Sequence, residues 1–365
     1  MKRDLVHSRF RVARWPAAGV VGLLLSLSLG VVVLSGCEAP GGRAADAEVW
    51  RFAIEETQGS VQDVYARRFA ERIERETDGA VEVIVYPYGA LGTSDQITEQ
   101  VHNGTLELAM ASPGHLGKLI PALQVFLLHY VLPTDPAESR AVLQDPKVRG
   151  ILDELYREHG LRFLSAFGEG AQVWTTRKPI RRPSDFRGVK LRVMTSPLLM
   201  AAYEAYGASP TPLPYSEIYG ALQLEMIDGQ VNPVFAIEEM SFYEVTSHLV
   251  FAGQAQFFAT VTANPGFVDG LSSGRRELLL DTIRALHEEI DQVQQTFNRE
   301  RLDEMLAKKP ELEVVRLTDE QRARFREASR PVRERFLEMT GPRGKALLDA
   351  LVAARPDPSG ERSDP

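Results

Sequence analysis

The sequence predicts an α/β protein built as two lobes. Strands and helices alternate along the first part of the chain, which calls for parallel strands joined by crossover connections. About 300 residues lie between an export-type leader and a Pro-rich tail, enough for two such lobes. A late apolar stripe at helical spacing, Leu278, Ile283, Leu286, Ile290 and Val293 continued by Phe297, adds a helix long enough to brace both.

Residues 1–36 read as a targeting segment. Lys2, Arg3, Arg9, Arg11 and Arg14 form a basic n-region, residues 17–33 are almost wholly apolar, and Leu34-Ser35-Gly36-Cys37 closes the run. A small residue before a cysteine at the end of an export h-region resembles the bacterial lipobox. Cys37 is therefore expected to become the lipidated first residue of the mature protein. Two readings compete. One is an uncleaved anchor, because the run is nearly long enough to span a bilayer; the other is an ordinary cleaved signal with an incidental cysteine. Cys37 is the only cysteine, so it serves neither an internal disulfide nor a metal cluster.

Removing the leader takes away five of 42 Lys+Arg and one of 50 Asp+Glu, leaving 37 against 49, a net charge of −12. An acidic exported protein of this kind makes no electrostatic case for nucleic acid, although a local basic pocket remains compatible with it.

The first strand is expected at residues 49–54. Ser60 then begins a helix with Asp63 as capping-box partner, and Val61, Tyr65, Phe69 and Ile73 form its buried stripe. Asp78-Gly79 turns the chain into a strand at 81–86. Thr93 or Ser94 caps a short helix that Gly104 ends, before a strand at 106–110. Further strands are expected at 161–164 and 173–176. A loop at 183–188 then leads to a strand at 189–194. Thr195 or Ser196 caps the next helix, with Pro197 in its first turn and Gly207 at the left-handed position after its end. Ser216 starts another helix, on which Ile218, Ala221 and Leu222 share a face. Residues 247–263 look like strand material returning to lobe one.

Three pieces carry most of the functional information. Val189-Lys190-Leu191-Arg192-Val193 is a buried strand ending near an arginine. Tyr215-Ser216-Glu217-Ile218-Tyr219-Gly220-Ala221-Leu222-Gln223 is a capped helix, and Ile227-Asp228-Gly229-Gln230-Val231-Asn232-Pro233 is a turn presenting an amide. Such a layout can hold a small anion without reacting with it. In this order and spacing the pieces resemble the DctP family, the extracytoplasmic solute-binding proteins of tripartite ATP-independent periplasmic (TRAP) transporters. The resemblance runs from about residue 49 to about residue 355. It implies the two-lobed periplasmic binding protein fold, with a ligand cleft between the lobes and a long bracing helix. It also implies a small organic-acid ligand, no cofactor, and a two-part membrane permease as partner.

If Leu191 and Val193 point into the core, Arg192 faces the other side of its strand. At the carboxyl end of a strand in an open sheet, that side is the ligand crevice. A guanidinium there can offer a carboxylate two parallel N–H groups, which lysine cannot. On the residues alone a salt bridge is the commoner fate; the resemblance matches Arg192 to the family's carboxylate clamp. Asn232, held extended by Pro233, is either an Asx-turn residue or, by the resemblance, a ligand contact. Tyr215 matches an aromatic that lines the family's pocket. Gln172 stands where many family members carry a second arginine, which points to a ligand with less charge than a dicarboxylate, a monocarboxylate. Trp174 could add an apolar wall, though core packing is its default. Glu55, with Glu56, follows the first strand where lobe one reaches the cleft, and would suit a hydroxyl or ammonium.

Apparent catalytic and metal motifs fail. His287-Glu288-Glu289-Ile290-Asp291 lacks the second histidine of a metalloprotease helix, and Gly114-His115-Leu116-Gly117-Lys118 lacks the spacing and hydroxyl of a phosphate loop. No histidine pair suits zinc, so no metal is expected and no catalytic residue is assigned. The expected organisation is a signal peptide at 1–36, a tether at 37–47, lobe one at 48–170 and lobe two at 171–254. Residues 255–297 return to lobe one and form the long helix, 298–354 form C-terminal helices packing mainly on lobe two, and 355–365 form a disordered tail. The reading is a TRAP-type solute receptor, periplasmic and tethered as a lipoprotein. The rivals are a sensor that presents its closed form to a signalling receptor and a receptor of an ATP-driven importer.

Overall fold

The computed structural model describes residues 47–356; the leader, Cys37 with nearly all of the expected tether, and the tail beyond residue 356 lie outside the described residues. The strands, in chain order, are β1 (Glu48–Ala53), β2 (Val81–Tyr86), β3 (Leu108–Ala111), β4 (Arg162–Ala171), β5 (Val173–Thr176) and β6 (Lys190–Val193). They continue with β7 (Ser209–Pro212), β8 (Gly229–Asn232), β9 (His248–Phe251), β10 (Gln256–Ala263) and β11 (Glu313–Arg316). They form two sheets, one in the order β2-β1-β3-β10-β4 and the other in the order β11-β9-β5-β8-β6-β7. The first three strands pair in parallel, while β10 runs antiparallel to both β3 and β4. In the second sheet β6 is parallel to β7 and β8.

The chain passes between the sheets side by side at Gln172 and at residues 252–255. The Gln172 N–H donates to Ala255 O (2.9 Å), and Gln254 Nε2 donates to Gln172 O (3.1 Å). The helix Ser273–Lys308 is the third link. Its 36 residues span about 54 Å at 1.5 Å per residue. Leu279, Ile283, Leu286 and Ile290 join the core around Trp50, Phe69 and Ile73 in lobe one. Met305, near its other end, packs with Ile237 and Leu249 in lobe two.

The local signals explain most helix starts. Ser60 Oγ accepts the Asp63 N–H, but the Asp63 carboxylate accepts from Gly59 N–H instead of closing a box on Ser60. Thr93 and Gln96 make the full reciprocal box. Ser196, not Thr195, caps the helix Pro197–Glu204, and Gly207 takes φ +89° just after it. Ser216 departs from expectation. A 3-10 turn, Tyr215–Glu217, precedes the helix Ile218–Gln223, and no side chain caps it.

The last segment, Arg330–Ala353, is two helices broken at Gly341 (φ +57°) just before Pro342. It lies on Pro121–Leu127 and on the helix Pro146–Glu158 of lobe one as well as on Pro197–Glu204 of lobe two. This segment touches both lobes, because Phe336, Leu347, Leu348 and Leu351 fill an apolar seam that both border, while Phe325 of the preceding helix packs on Trp174 and Phe186 of lobe two. Gly170 takes φ +128°, and a Cβ there would come 2.5 Å from the Asn298 amide, so the long helix approaches β4 in a way only glycine permits.

Candidate functional site

The carboxyl ends of strands from both sheets converge on one cavity between the lobes. Glu55 and Glu56 follow β1, Ser112 and His115 follow β3, Arg192 and Met194 come from β6 and its end, and Asn232 and Pro233 close β8. Tyr215, Ala236, Gln62, Ser94 and Phe257 complete the lining. The crevice outside the carboxyl ends of parallel strands is where α/β sheets place ligands, because the chain reverses there and leaves room.

Arg192 is 2% exposed. Leu191 and Val193 on either side of it are wholly buried in the core, so the strand's alternation sends the arginine the other way. Its Nε donates to Leu213 O (2.9 Å), which orients the guanidinium, and among the described residues it forms no salt bridge. Burial lowers its pKa to about 10, opposed by the nearby Tyr215 and Tyr88, so at neutral pH it is a charged side chain lacking a counter-ion.

The facing wall is acidic. Glu55 Oε2 accepts the Ser112 N–H (2.7 Å), while its Oε1 is buried without a partner. Burial raises its pKa, opposed first by His115. Glu56 Oε2 accepts the Gln62 N–H (3.1 Å), and burial raises its pKa to about 7. The Tyr215 ring packs edge-on against Tyr88, and its hydroxyl lies 3.1 Å from Glu239 Oε1. Asn232 Nδ2 donates to Gln230 Oε1, and its side chain borders the cavity.

A second, smaller compartment adjoins the first and shares Met194, Asn232 and Phe257 with it. Gln172 lies here beside His129, Tyr203, Leu199 and Val231, with its Oε1 buried and unpartnered. Trp174 lies in neither compartment. It is wholly buried, packs on Phe186 and Phe325, and donates from Nε1 to Tyr203 OH (2.9 Å), so it is a core residue behind the lobe-two wall.

The structure thus gathers Arg192, Asn232, Tyr215 and Glu55 in one cavity, with Gln172 next door and Trp174 outside it. Sequence reasoning passed over Ser112 and His115, although their place after the third strand was a usable signal. It also passed over Phe257, which reaches the cavity from β10 and carries no local signature. Across the cleft mouth Thr195 Oγ1 donates to Asp95 Oδ2 (3.4 Å), and Asp95 also holds His115 (3.1 Å) and Lys118 (2.6 Å).

Residues 52–339 match the family model described as bacterial extracellular solute-binding protein, family 7, the DctP family. The chain belongs to this family. It is 41% identical over 330 residues to the ectoine/5-hydroxyectoine-binding periplasmic protein UehA of Ruegeria pomeroyi, covering 90% of this chain and 97% of that one. It is 40% identical over 332 residues to the ectoine-binding periplasmic protein TeaA of Halomonas elongata, covering 91% and 95%. The solved structure of the periplasmic ectoine-binding protein of the TeaABC TRAP transporter superposes with a TM-score of 0.82 at 41% identity, covering 84% of this chain and 99% of that one.

This DctP-family protein is accordingly a TRAP-type periplasmic solute receptor. It works with membrane permease subunits and is not an enzyme. Membership of a TRAP family decides against a receptor of an ATP-driven importer. Among the described residues no helix is long and apolar enough to cross a membrane, and no cluster of three or more His, Cys, Asp or Glu could hold a metal.

Proposed function

We propose that this receptor captures a compact zwitterion of the ectoine class, with the ligand carboxylate on Arg192 and its cationic group on Glu55 and Glu56. One observation carries the reading: a buried arginine without a counter-ion and two buried carboxylates border the same cavity. Either charge alone in a desolvated site is costly, and a ligand bearing both opposite charges relieves both. Ectoine, a cyclic amidinium carboxylate, has this charge layout, and the names of two relatives at 40–41% identity support it.

Gln172 supports a single carboxylate, since a second one in the adjoining compartment would meet an amide and no cation. Asn232 and Tyr215 then orient the ligand, the first through its amide and the second through its ring. A plain monocarboxylate would satisfy Arg192 but would leave the Glu55 and Glu56 wall without a cation. Calorimetry with ectoine, 5-hydroxyectoine, succinate and a plain hydroxy acid tests the reading. Ectoine or its hydroxy form should bind tightest, and tightest binding by succinate would overturn it.

For location, we propose that the exported protein is held at the membrane by a lipid on Cys37. The Leu34-Ser35-Gly36-Cys37 sequence after an apolar run supports this. A palmitate analogue should label the wild type and not Cys37→Ser; labelling that persists in the variant would rule out this attachment.

A further inference from the structure

Away from the cleft, a cavity larger than either compartment opens on lobe one and shares no residue with them. It encloses about 760 Å³ between the helix Pro136–Gln144, the start of the helix Pro146–Glu158, β4 and the long helix. Small-molecule pockets commonly measure about 300–1,000 Å³. Leu164 of β4 and Leu280 and Ile283 of the long helix give the walls their apolar area, and Leu280 is a large apolar side chain left exposed. Arg140, Arg149 and Arg284 give them charge, and among the described residues no carboxylate lines the cavity.

The three arginines are not equivalent. Arg140 pairs with Asp291 (3.1 Å), and Arg284 pairs with Asp281 one turn back on the same helix. Arg149 forms no ion pair among the described residues; Asp153, the acid that acts on it, is held by Arg157 (2.7 Å). The Arg149 guanidinium lies over the Phe163 ring, 5.6 Å from its centroid. It makes only long hydrogen bonds, to Gln144 Oε1 (3.3 Å) and Leu164 O (3.5 Å). A half-buried cation engaged so weakly keeps N–H groups for an anion.

Gln144 carries the arrangement across to the long helix. Its oxygen faces Arg149, so its Nε2 donates to His287 Nε2 (2.7 Å), which leaves His287 Nδ1–H to donate to Ser165 Oγ (3.3 Å). His287 is thereby a neutral imidazole; burial lowers its pKa to about 4, and Arg149 and then Arg140 add to the fall. The chain Arg149–Gln144–His287–Ser165 holds one wall in place and contains no negative charge.

We propose that this cavity is a second ligand site that takes a small organic acid with an apolar body. The acid head lies on Arg149, with Arg140 and Arg284 around it, and the body lies on Leu164, Leu280 and Ile283. The proposal does not depend on what the cleft binds. Apolar walls alone would suit a neutral hydrocarbon, and arginines alone would suit any small anion; together they select an amphiphilic acid. Its carboxylate would give Arg149 a counter-ion.

Octanoate is the probe, with octanol as its uncharged counterpart and acetate as a head without a body. Because octanoate could also enter the cleft, calorimetry is done on Arg192→Ala. That variant should bind one octanoate, with octanol and acetate each at least about tenfold weaker. Adding Arg149→Gln should weaken octanoate binding by about ten- to a hundredfold. Ala141→Glu leaves Arg149 in place and brings a carboxylate to the cavity's exposed edge, so it should weaken binding likewise. In proton NMR the His287 ring signals should move with octanoate, while those of His115 and His129, which border the cleft compartments, should not. No octanoate binding in Arg192→Ala would overturn the proposal, as would binding that both cavity variants leave unchanged. Octanol binding as tightly as octanoate would also overturn it, since the arginines would then play no part. Sedimentation with phosphatidylglycerol vesicles that depends on Arg149, without octanoate binding, would give the cavity to a membrane surface and overturn the small-ligand assignment.

Discussion

The lobe-one wall of the cleft presents Glu55 and Glu56 from the loop after β1; the lobe-two wall presents Arg192 from β6. The acidic wall is partly satisfied from within: Ser112 N–H donates to Glu55 and Gln62 N–H donates to Glu56. The basic wall is less so. Arg192 has one backbone carbonyl and no anion, although it is more than nine-tenths buried. A carboxylate with a backbone donor tolerates an empty cleft better than a lone buried guanidinium, which gains most when a carboxylate arrives. On the proposed reading the two walls therefore divide the work: lobe two would supply most of the affinity and lobe one the selection.

The largest effect should fall on a residue behind the basic wall that makes no cleft contact. Trp174→Ala should cost about 3–5 kcal/mol of stability, the usual range for emptying a large aromatic site, read by urea unfolding. Its effect on affinity should be secondary once the protein is folded. A large affinity loss at unchanged stability would put Trp174 in contact with the ligand after all.

Arg192→Ala should cost on the order of 2–5 kcal/mol of binding. Arg192→Lys should also bind poorly, because a point charge replaces a planar fork. Calorimetry on the folded variants reads both, and near-native affinity in the lysine variant would mean that the clamp is elsewhere.

Glu55→Gln should cost a zwitterionic ligand about 1.5–3 kcal/mol, the range for hydrogen bonds to charged groups, and cost a plain monocarboxylate far less. Equal losses for both ligands would remove the selective role of lobe one. Gln172→Arg should shift preference towards diacids in a competition assay if the second compartment has the family's geometry. The smallest effect is expected at the cleft mouth. Thr195→Val removes the long hydrogen bond to Asp95 and should weaken binding by about 0.5 kcal/mol.

Much of this was legible in the residues. The alternation around Leu191-Arg192-Val193 marked an arginine facing away from the core, and the apolar stripe from Leu278 to Phe297 marked the long helix, now seen to run from Ser273 to Lys308. Other features had no local signature. Ser209–Pro212 carries two prolines yet forms the edge strand β7, because its partner β6 supplies the pairing. Ser216 looked like a cap, but the chain enters that helix through a 3-10 turn instead. Trp174 and Arg192 were both plausible wall residues, and only packing separated them: Phe186, Tyr203 and Phe325 enclose the tryptophan, while the alternation of β6 turns the arginine to the cleft.

By itself the sequence determined the α/β class and, through its resemblance, the family. The class follows from the alternation of strand and helix patterns and the family from the resemblance of motif residues in order, both of which a linear chain records directly. Tertiary structure alone decided that Glu55 and Arg192 share a cavity and that the segment Arg330–Ala353 touches both lobes. Each of these depends on contacts between residues scores of positions apart. Burial and partner geometry, which set the charge of a carboxyl or the availability of an arginine, exist only once those contacts have formed.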